Sequence, residues 1–217
     1  MDIKPILFST DMVQAILDGR KTMTRRVAKF PTGCNPSWTG YQPDGGVIYG
    51  SNNMPAVKAK YKVGDVLWVR ETWCQLWKLD ENDQTIEGTE AFYYAADGYN
   101  PTPFNAFPDE YGFIGDRECP RWRPSIFMPK SACRLFLRVT DVRAERLTKI
   151  SEEDAVREGC RAGDRYAGPN STPALTAKQS FMWLWNMLNT KRGYPWCADP
   201  WVWVYTFERC EKPEGWC

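Results

Sequence analysis

The sequence contains no histidine, and this absence excludes several kinds of catalytic site. Ser-His and Cys-His catalysis, zinc sites of the HExxH type and proton shuttles through an imidazole all need that side chain. The eight cysteines are scattered without a CxxC pair, so a structural zinc site is not expected and free thiols are expected instead. The sequence therefore predicts no metal site and no cofactor.

Long apolar runs are absent as well. The longest, "VLWV" and "WVWVY", are the size of single strands, and the first residues, "MDIKPILFST", do not resemble a secretory signal. We therefore expect a cytoplasmic protein that does not enter a membrane. An excess of charge is also missing, since 28 Lys and Arg face 27 Asp and Glu. This balance argues mildly against broad nucleic-acid binding and favours a small ligand or a local site.

Aromatic residues are abundant, with 11 Trp, 10 Tyr and 10 Phe in 217 residues. Aromatic rings fill cores or stack on nucleobases, and composition alone does not separate the two roles. Tryptophans that alternate with arginines suit a nucleotide best, because its base and its phosphate make different demands. The candidates for such contacts are Trp68, Arg70, Trp73, Arg121, Trp122 and Arg123.

One octapeptide, "GRKTMTRR" at 19–26, concentrates positive charge in this neutral chain. Gly19 is expected to end a short helix, and an extended segment follows it. In that segment Thr22, Thr24 and Arg26 would share one face, and Lys21, Met23 and Arg25 the other. The octapeptide is either a solvated surface loop or a site that handles an anion or a nucleotide, for which Arg20, Arg25 and Arg26 would be the anion-binding residues.

Regular patterns alternate with irregular ones along the chain. We expect strands in "KPILFS", "VLWVRETW", "SACRLFLRVTDVRAERL" and "WVWVYTFERC", and helices in "DMVQAILDG", "KISEEDAVREGC" and "TAKQSFMWLWNMLNTKRG". Ser151 is the expected cap of the second helix, and the expected buried stripe of the third is Phe181, Leu184, Trp185 and Leu188. Stretches at about 28–60 and 75–124 are interpreted as long irregular insertions. The pattern predicts one α+β domain over 1–217, a small curved sheet or barrel with flanking helices.

Three of these segments together resemble a known family. "AILDGRKTMTRR", "GDVLWVRETW" and "ISEEDAVREG" occur in the order typical of the ASCH domain family, within the PUA-like superfamily. The resemblance covers the N-terminal quarter, 64–73 and most of 131–209, and it implies a small β-barrel with flanking helices. Long, Trp-rich chains of this kind look like relatives often carried by phages and prophages.

The resemblance also implies a chemistry. Small bacterial members that hydrolyse N4-acetylcytidine use a Lys, a Thr and a Glu, which match Lys21, Thr24 and Glu158 in this chain. The implied roles are Thr24 as nucleophile, Lys21 as proton acceptor and Glu158 as proton donor. A lysine accepts that proton only if its pKa is lowered, and burial and neighbouring arginines both act in that direction.

Other interpretations remain open at this point. The same pocket could bind single-stranded RNA or a modified base without chemistry, or it could belong to a ribonuclease. A phage interaction or morphogenetic protein, with the aromatic insertions as its binding surface, is the third alternative. Glu158 could also be an ordinary surface acid. The leading hypothesis is an ASCH-like protein whose partner is a nucleoside or single-stranded RNA, with hydrolysis of an amide on a modified base.

Overall fold

The computed structural model describes residues 2–30, 41–42, 47–48, 57–82, 84–98, 111–112, 122–164 and 172–216. Arg121, one of the expected stacking residues, lies outside them, as do large parts of the two stretches interpreted as insertions. The described helices are α1 (Thr10–Leu17), α2 (Glu152–Arg157) and α3 (Ala177–Asn189). The described strands are β1 (Ile3–Leu7), β2 (Met23–Val27), β3 (Tyr41–Gln42), β4 (Val47–Ile48), β5 (Val57–Lys58), β6 (Val66–Arg70), β7 (Trp73–Lys78), β8 (Ala91–Tyr94), β9 (Tyr111–Gly112), β10 (Phe136–Arg146) and β11 (Trp201–Cys210).

These strands form one larger sheet and two small ones. The five-stranded sheet has the order β1-β6-β10-β11-β2, and the small sheets have the orders β3-β4-β5 and β8-β7-β9. The predicted α+β fold is confirmed. The two small sheets lie largely in the stretches expected to be irregular, so that expectation was wrong for these segments. Strands of two to six residues are too short to give a clear alternating pattern in the sequence.

The chain separates into two compact units, each described here by itself. Unit 1 contains 1–4, 18–66 and 137–209, and unit 2 contains 5–17, 67–136 and 210–217. The expectation of a single domain over the whole chain stays a prediction.

The core of unit 1 is built around α3. Phe181 and Trp185 are buried on this helix, whereas Leu188 is 40% exposed, so its predicted place in the buried stripe was wrong. The neighbours of these rings come from β2, β11 and the segment around α2. The buried members of the cluster are Met23, Leu147, Ile150, Ala155, Cys160, Ala177, Phe181, Trp185, Val202 and Val204.

The pairing of β2 with β11 sets the register of the basic octapeptide. The strands are antiparallel, with Thr24 opposite Tyr205 and Arg25 opposite Val204. A backbone hydrogen bond of 2.9 Å from Phe207 N to the Thr22 carbonyl extends the pairing beyond β2. The octapeptide is therefore a paired strand and its approach, not a free surface loop.

Unit 2 contains a buried ion pair of its own. Glu71, 1% exposed, accepts hydrogen bonds of 3.0 Å from both Nε and Nη2 of Arg134. The guanidinium of Arg134 also lies 3.8 Å from the centre of the Tyr94 ring and donates to Asp97 over 2.8 Å. Burial raises the pKa of Glu71, although Arg134 opposes this change. The two-pronged geometry is typical of a structural arginine-carboxylate contact.

Candidate active site

Lys21 lies in the turn between Gly19 and β2, and its side chain is completely buried, with 0% exposed. Gly19 has a φ of +75°, a conformation that costs glycine little and other residues more. The Lys21 ammonium donates to Glu158 Oε2 over 2.8 Å and to the Glu158 backbone carbonyl over 2.7 Å. The Glu158 side chain is only 4% exposed. The two residues, 137 positions apart, thus form a buried pair.

The short helix α2 brings Glu158 to this pair. Ser151 Oγ caps the first turn by accepting a hydrogen bond of 3.0 Å from Asp154 N, as the sequence predicts. Glu158 follows the last helical residue as the C-cap. A backbone hydrogen bond of 2.9 Å from Thr22 N to the Arg157 carbonyl ties the approach of β2 to the end of α2. Local capping and this one long-range bond together bring Glu158 to Lys21.

Arg25 binds three carboxylates from a side chain that is 0% exposed. Its Nε and Nη2 donate to Glu145 Oε1 over 3.1 and 2.6 Å, and Nη2 also donates to Asp154 Oδ2 over 2.6 Å. Its Nη1 donates to Glu158 Oε1 over 3.3 Å. Burial lowers the pKa of Arg25, but the surrounding carboxylates outweigh it and raise that pKa above its ordinary value. Arg25 therefore stays charged inside the protein.

Arg143 completes the arrangement from β10. It donates to Asp154 Oδ2 over 2.7 Å and to Glu145 Oε2 over 3.3 Å. The last donor of Arg25 is directed at Met23 Sδ over 3.3 Å, so all of its N–H groups have acceptors inside the chain. Three cations and three carboxylates make up what is called here the acid-base cluster. Its members are Lys21, Arg25, Arg143, Glu145, Asp154 and Glu158.

Thr24 and Arg26 lie on the face of β2 opposite to that of Arg25, because side chains alternate along a strand. Thr24 is 3% exposed and is the cross-strand partner of Tyr205. The ring of Tyr61 meets the Tyr205 ring edge-on, with 5.0 Å between the ring centres. Burial raises the pKa of Tyr205 to about 12, so this phenol stays protonated at neutral pH. The Thr24 hydroxyl takes no part in the hydrogen bonds that join Lys21 to Glu158.

Burial is the largest influence on the pKa of Lys21 and lowers it from the ordinary value of 10.5. The charge and hydrogen bond of Glu158 act in the opposite direction, and the charge of Arg26 lowers the pKa further. The other two arginines of the octapeptide are paired with acids. Arg20 donates to Asp18 Oδ2 over 3.2 and 3.0 Å, and Arg25 lies within the acid-base cluster. Burial, more than the arginines, therefore accounts for the altered basicity of Lys21.

The expected stacking residues belong to unit 2 and are not part of the acid-base cluster. Trp68 and Trp73 are buried there, with 6% and 2% exposed. The guanidinium of Arg70 covers the Trp68 ring at 5.2 Å, and that of Arg123 covers the Trp73 ring at 5.2 Å. Trp122 is half-buried and Arg123 is exposed. Buried rings offer no free face to a nucleobase, so the burial of Trp68 and Trp73 does not suit a stacking role.

The sequence did not identify several residues of the candidate site. Arg143 and Glu145 are two positions apart in β10 and so share one face, the face that carries the buried Leu137 and Val139 earlier in the strand. That pattern could have indicated an ion-paired face. Asp154 is one of three acids in the first turn of α2, a position where helix capping alone accounts for an acid. Tyr61 stands in a turn-rich segment with no pattern that would have identified it.

Comparison with known proteins finds a similar solved structure but no matching family model. No family model matches the chain, and no curated protein matches it. The chain is similar to a solved structure, described as the high resolution crystal structure of an ASCH domain from Lactobacillus crispatus JV V101, with a TM-score of 0.36 and 12% sequence identity. The match covers 96% of this chain and 79% of that one. At this TM-score the likeness does not establish a shared family.

The part of the chain that the structure describes contains no group of three or more Cys, Asp or Glu side chains arranged to hold a metal ion. The carboxylates of the acid-base cluster are bridged by arginines instead. Of the described helices, none has both the length and the apolar character needed to cross a membrane.

Proposed function

We propose that this protein hydrolyses an amide on an N-acylated nucleobase, with N4-acylcytidines as the substrate class. The observation that carries the proposal is the buried pair of Lys21 and Glu158, joined over 2.8 Å. Burying a lysine is costly, and buried lysines with lowered pKa values are frequent among catalytic bases. Thr24, further along the same segment, supplies a hydroxyl that such a base can activate.

In the proposed reaction the neutral Lys21 amine takes the proton of the Thr24 hydroxyl while Thr24 Oγ1 attacks the amide carbon. The C–N bond then breaks, and Glu158 gives its proton to the departing nitrogen of the nucleobase. In the second step the Glu158 carboxylate takes a proton from the water that attacks the ester carbon. The bond from that carbon to Thr24 Oγ1 breaks, and the Lys21 ammonium returns its proton to Thr24 Oγ1. This step releases the carboxylic acid and restores the Thr24 hydroxyl, the Lys21 amine and the Glu158 carboxyl group. One water molecule is consumed, and no oxidation or reduction occurs. Arg26, on the same face of β2 as Thr24, would stabilise the developing oxyanion.

The proton of the Lys21–Glu158 pair has two possible positions. With the proton on Lys21 the pair is ionic, whereas with the proton on Glu158 it provides a neutral amine base and a carboxylic acid. The transfer between them changes no net charge, and burial favours the neutral form. Arg25 favours the ionic form through its contact of 3.3 Å with Glu158 Oε1. The lowered pKa of Lys21 supports a pair that can reach the neutral, catalytically useful form.

The charge balance of the acid-base cluster favours an uncharged substrate. Its three cations face three carboxylates, so it offers little net attraction to a phosphate. A nucleoside or free base brings no phosphate, whereas an RNA strand brings one at every nucleotide. We therefore favour an N-acylated nucleoside over an RNA strand as the partner of this site.

The test is hydrolysis of N4-acetylcytidine, followed by separation of cytidine from the substrate. The wild-type chain should release cytidine, and Lys21→Met, Thr24→Val and Glu158→Gln should each lower kcat by about 100-fold or more. Lys149→Met, at an exposed lysine of the same unit, serves as the matched control and should retain full activity. Thr24→Ser keeps a hydroxyl and should retain part of the rate. Wild-type turnover no faster than that of the three variants would contradict the proposal.

A binding protein without chemistry is the second candidate. It is favoured by the two hydrogen bonds that the Lys21 ammonium already donates to Glu158, since a protonated lysine is not a base. In that case N4-acetylcytidine binds without turnover, and calorimetry detects the complex. Arg26→Gln should then weaken binding, while raising the salt concentration should have little effect on an uncharged ligand.

A further inference from the structure

The two carboxylate oxygens of Glu158 have different partners. Oε2 accepts from the Lys21 ammonium over 2.8 Å, whereas Oε1 accepts from Nη1 of Arg25 over 3.3 Å. The contact with Arg25 therefore restricts rotation of the carboxylate and directs Oε2 towards Lys21. Glu158 sits at the end of a short helix, where a long side chain would otherwise have several rotamers.

Two other carboxylates fix the orientation of the Arg25 guanidinium. Glu145 and Asp154 hold its Nε and Nη2, and its guanidinium lies 5.9 Å from the centre of the Phe181 ring. Arg143 in turn bridges Glu145 and Asp154. The planar guanidinium can thus face Glu158 in one orientation, which a lysine ammonium could not reproduce.

From this geometry we infer that Arg25 is a positioning residue: it holds the Glu158 carboxylate against Lys21 and sets the pH range in which this pair exchanges protons. The inference builds on the function proposed above. Arg25 acts through Glu158, does not touch the substrate, and is not the anion-binding residue that the basic octapeptide suggests.

The sign of the effect follows from the charge of Arg25. The Lys21–Glu158 pair takes up two protons in succession as the pH falls. A nearby cation disfavours both steps, so removal of Arg25 should move both to higher pH. Other charged or titratable groups near the pair are Arg26 on β2, Arg143 and Glu145 on β10, Asp154 on α2 and Cys160 after α2.

The variants must separate two effects: loss of the contact that positions Glu158, and a change in the net charge of the acid-base cluster. Arg25→Gln alone leaves three carboxylates facing fewer cations and risks a failure to fold. The double variant Arg25→Gln/Glu145→Gln removes one charge of each sign, and Glu145→Gln alone is its reference. Arg25→Lys keeps the charge but loses the planar fork. Arg138→Gln is the matched control, because Arg138 is an exposed arginine of β10 outside the acid-base cluster.

The first measurement needs no substrate. NMR titration of protein labelled in lysine Nζ and glutamate Cδ follows Lys21 and Glu158, whose signals are assigned from Lys21→Arg and Glu158→Gln. The double variant should titrate at measurably higher pH than Glu145→Gln, and Arg138→Gln should titrate as the wild type does. Equal midpoints in the folded double variant and in Glu145→Gln would overturn the inference.

The second measurement is the pH profile of N4-acetylcytidine hydrolysis. Arg25→Lys should lower kcat at least tenfold with KM nearly unchanged, while its pH limbs stay close to those of the wild type. In the double variant both limbs of the pH–rate profile should move to higher pH, by the same amount as the NMR titration midpoints. If no chain, the wild type included, shows turnover but the midpoints still shift, the proposed reaction is wrong and the role of Arg25 in the pair stands. A rise in the KM of Arg25→Lys with kcat unchanged would overturn that role.

Discussion

The buried Lys21–Glu158 pair predicts a strong coupling between two substitutions. Lys21→Met removes the charge with little change in side-chain length, and Glu158 then keeps its contact with Arg25. Glu158→Gln keeps the shape but leaves a buried ammonium without its carboxylate. Breaking a buried pair from one side typically costs about 3–5 kcal/mol in the free energy of unfolding. We expect the lower end for Lys21→Met and the upper end for Glu158→Gln.

The double variant should cost clearly less than the sum of the two single changes, because it buries no uncompensated lysine. Residues in direct contact show coupling energies of about 0.5–3 kcal/mol, and two groups 2.8 Å apart at 0% and 4% exposure should lie near the top of that range, at about 2–3 kcal/mol. With a urea dependence of about 2 kcal/mol per molar, a loss of 3 kcal/mol moves the unfolding midpoint by about 1.5 M.

Urea unfolding provides the assay, with tryptophan fluorescence and far-UV circular dichroism as independent probes. Coincident transitions by the two probes are the condition for converting midpoints into free energies. Lys149→Met is the matched control at an exposed lysine and should change the free energy of unfolding by less than about 0.5 kcal/mol. A coupling below about 0.5 kcal/mol, or equal costs for Lys21→Met and Lys149→Met, would refute the reasoning.

Four further outcomes are expected. Because the pKa of Lys21 is lowered in the folded chain, the unfolded chain binds more protons between that pKa and 10.5, so the Lys21 contribution to stability rises with pH there; unfolding of Lys21→Met across that range should lack this rise. Ser151→Ala removes the cap of α2 and should cost about 1 kcal/mol in urea unfolding; no loss would mean that the cap is dispensable. Gly19→Ala should cost about 1 kcal/mol, measured as a lower thermal midpoint, since its φ is +75° while no atom within 4 Å would meet the new Cβ. Glu71→Gln should cost about 2–3 kcal/mol by weakening the bond with Arg134, and an unchanged urea midpoint would argue against that contact.

Much of the fold follows from patterns a few residues long. Strand alternation identified β2, β10 and β11, and the Ser151 cap identified α2, because hydrogen bonds and side-chain periodicity within one element act over short distances. The same local rules failed for Leu188, which lies on the apolar stripe of α3 but is 40% exposed. Whether an apolar position is covered depends on what packs against the helix, and the helical period carries no information on that.

The candidate site, like the fold, has features that local sequence predicts and features that depend on tertiary packing. The sequence by itself determined that Lys21, Thr24 and the arginines stand together in one segment and that Glu158 ends a capped helix. Only the tertiary structure decided the partners: Arg25 meets acids 120, 129 and 133 positions away, and Lys21 meets Glu158 over 137 positions. The physical reason is that charge pairing inside a protein depends on which side chains lose water together, and packing of distant segments decides that. Two residues of a basic octapeptide that suggested an anion site, Lys21 and Arg25, thereby belong to a cluster in which three cations face three carboxylates.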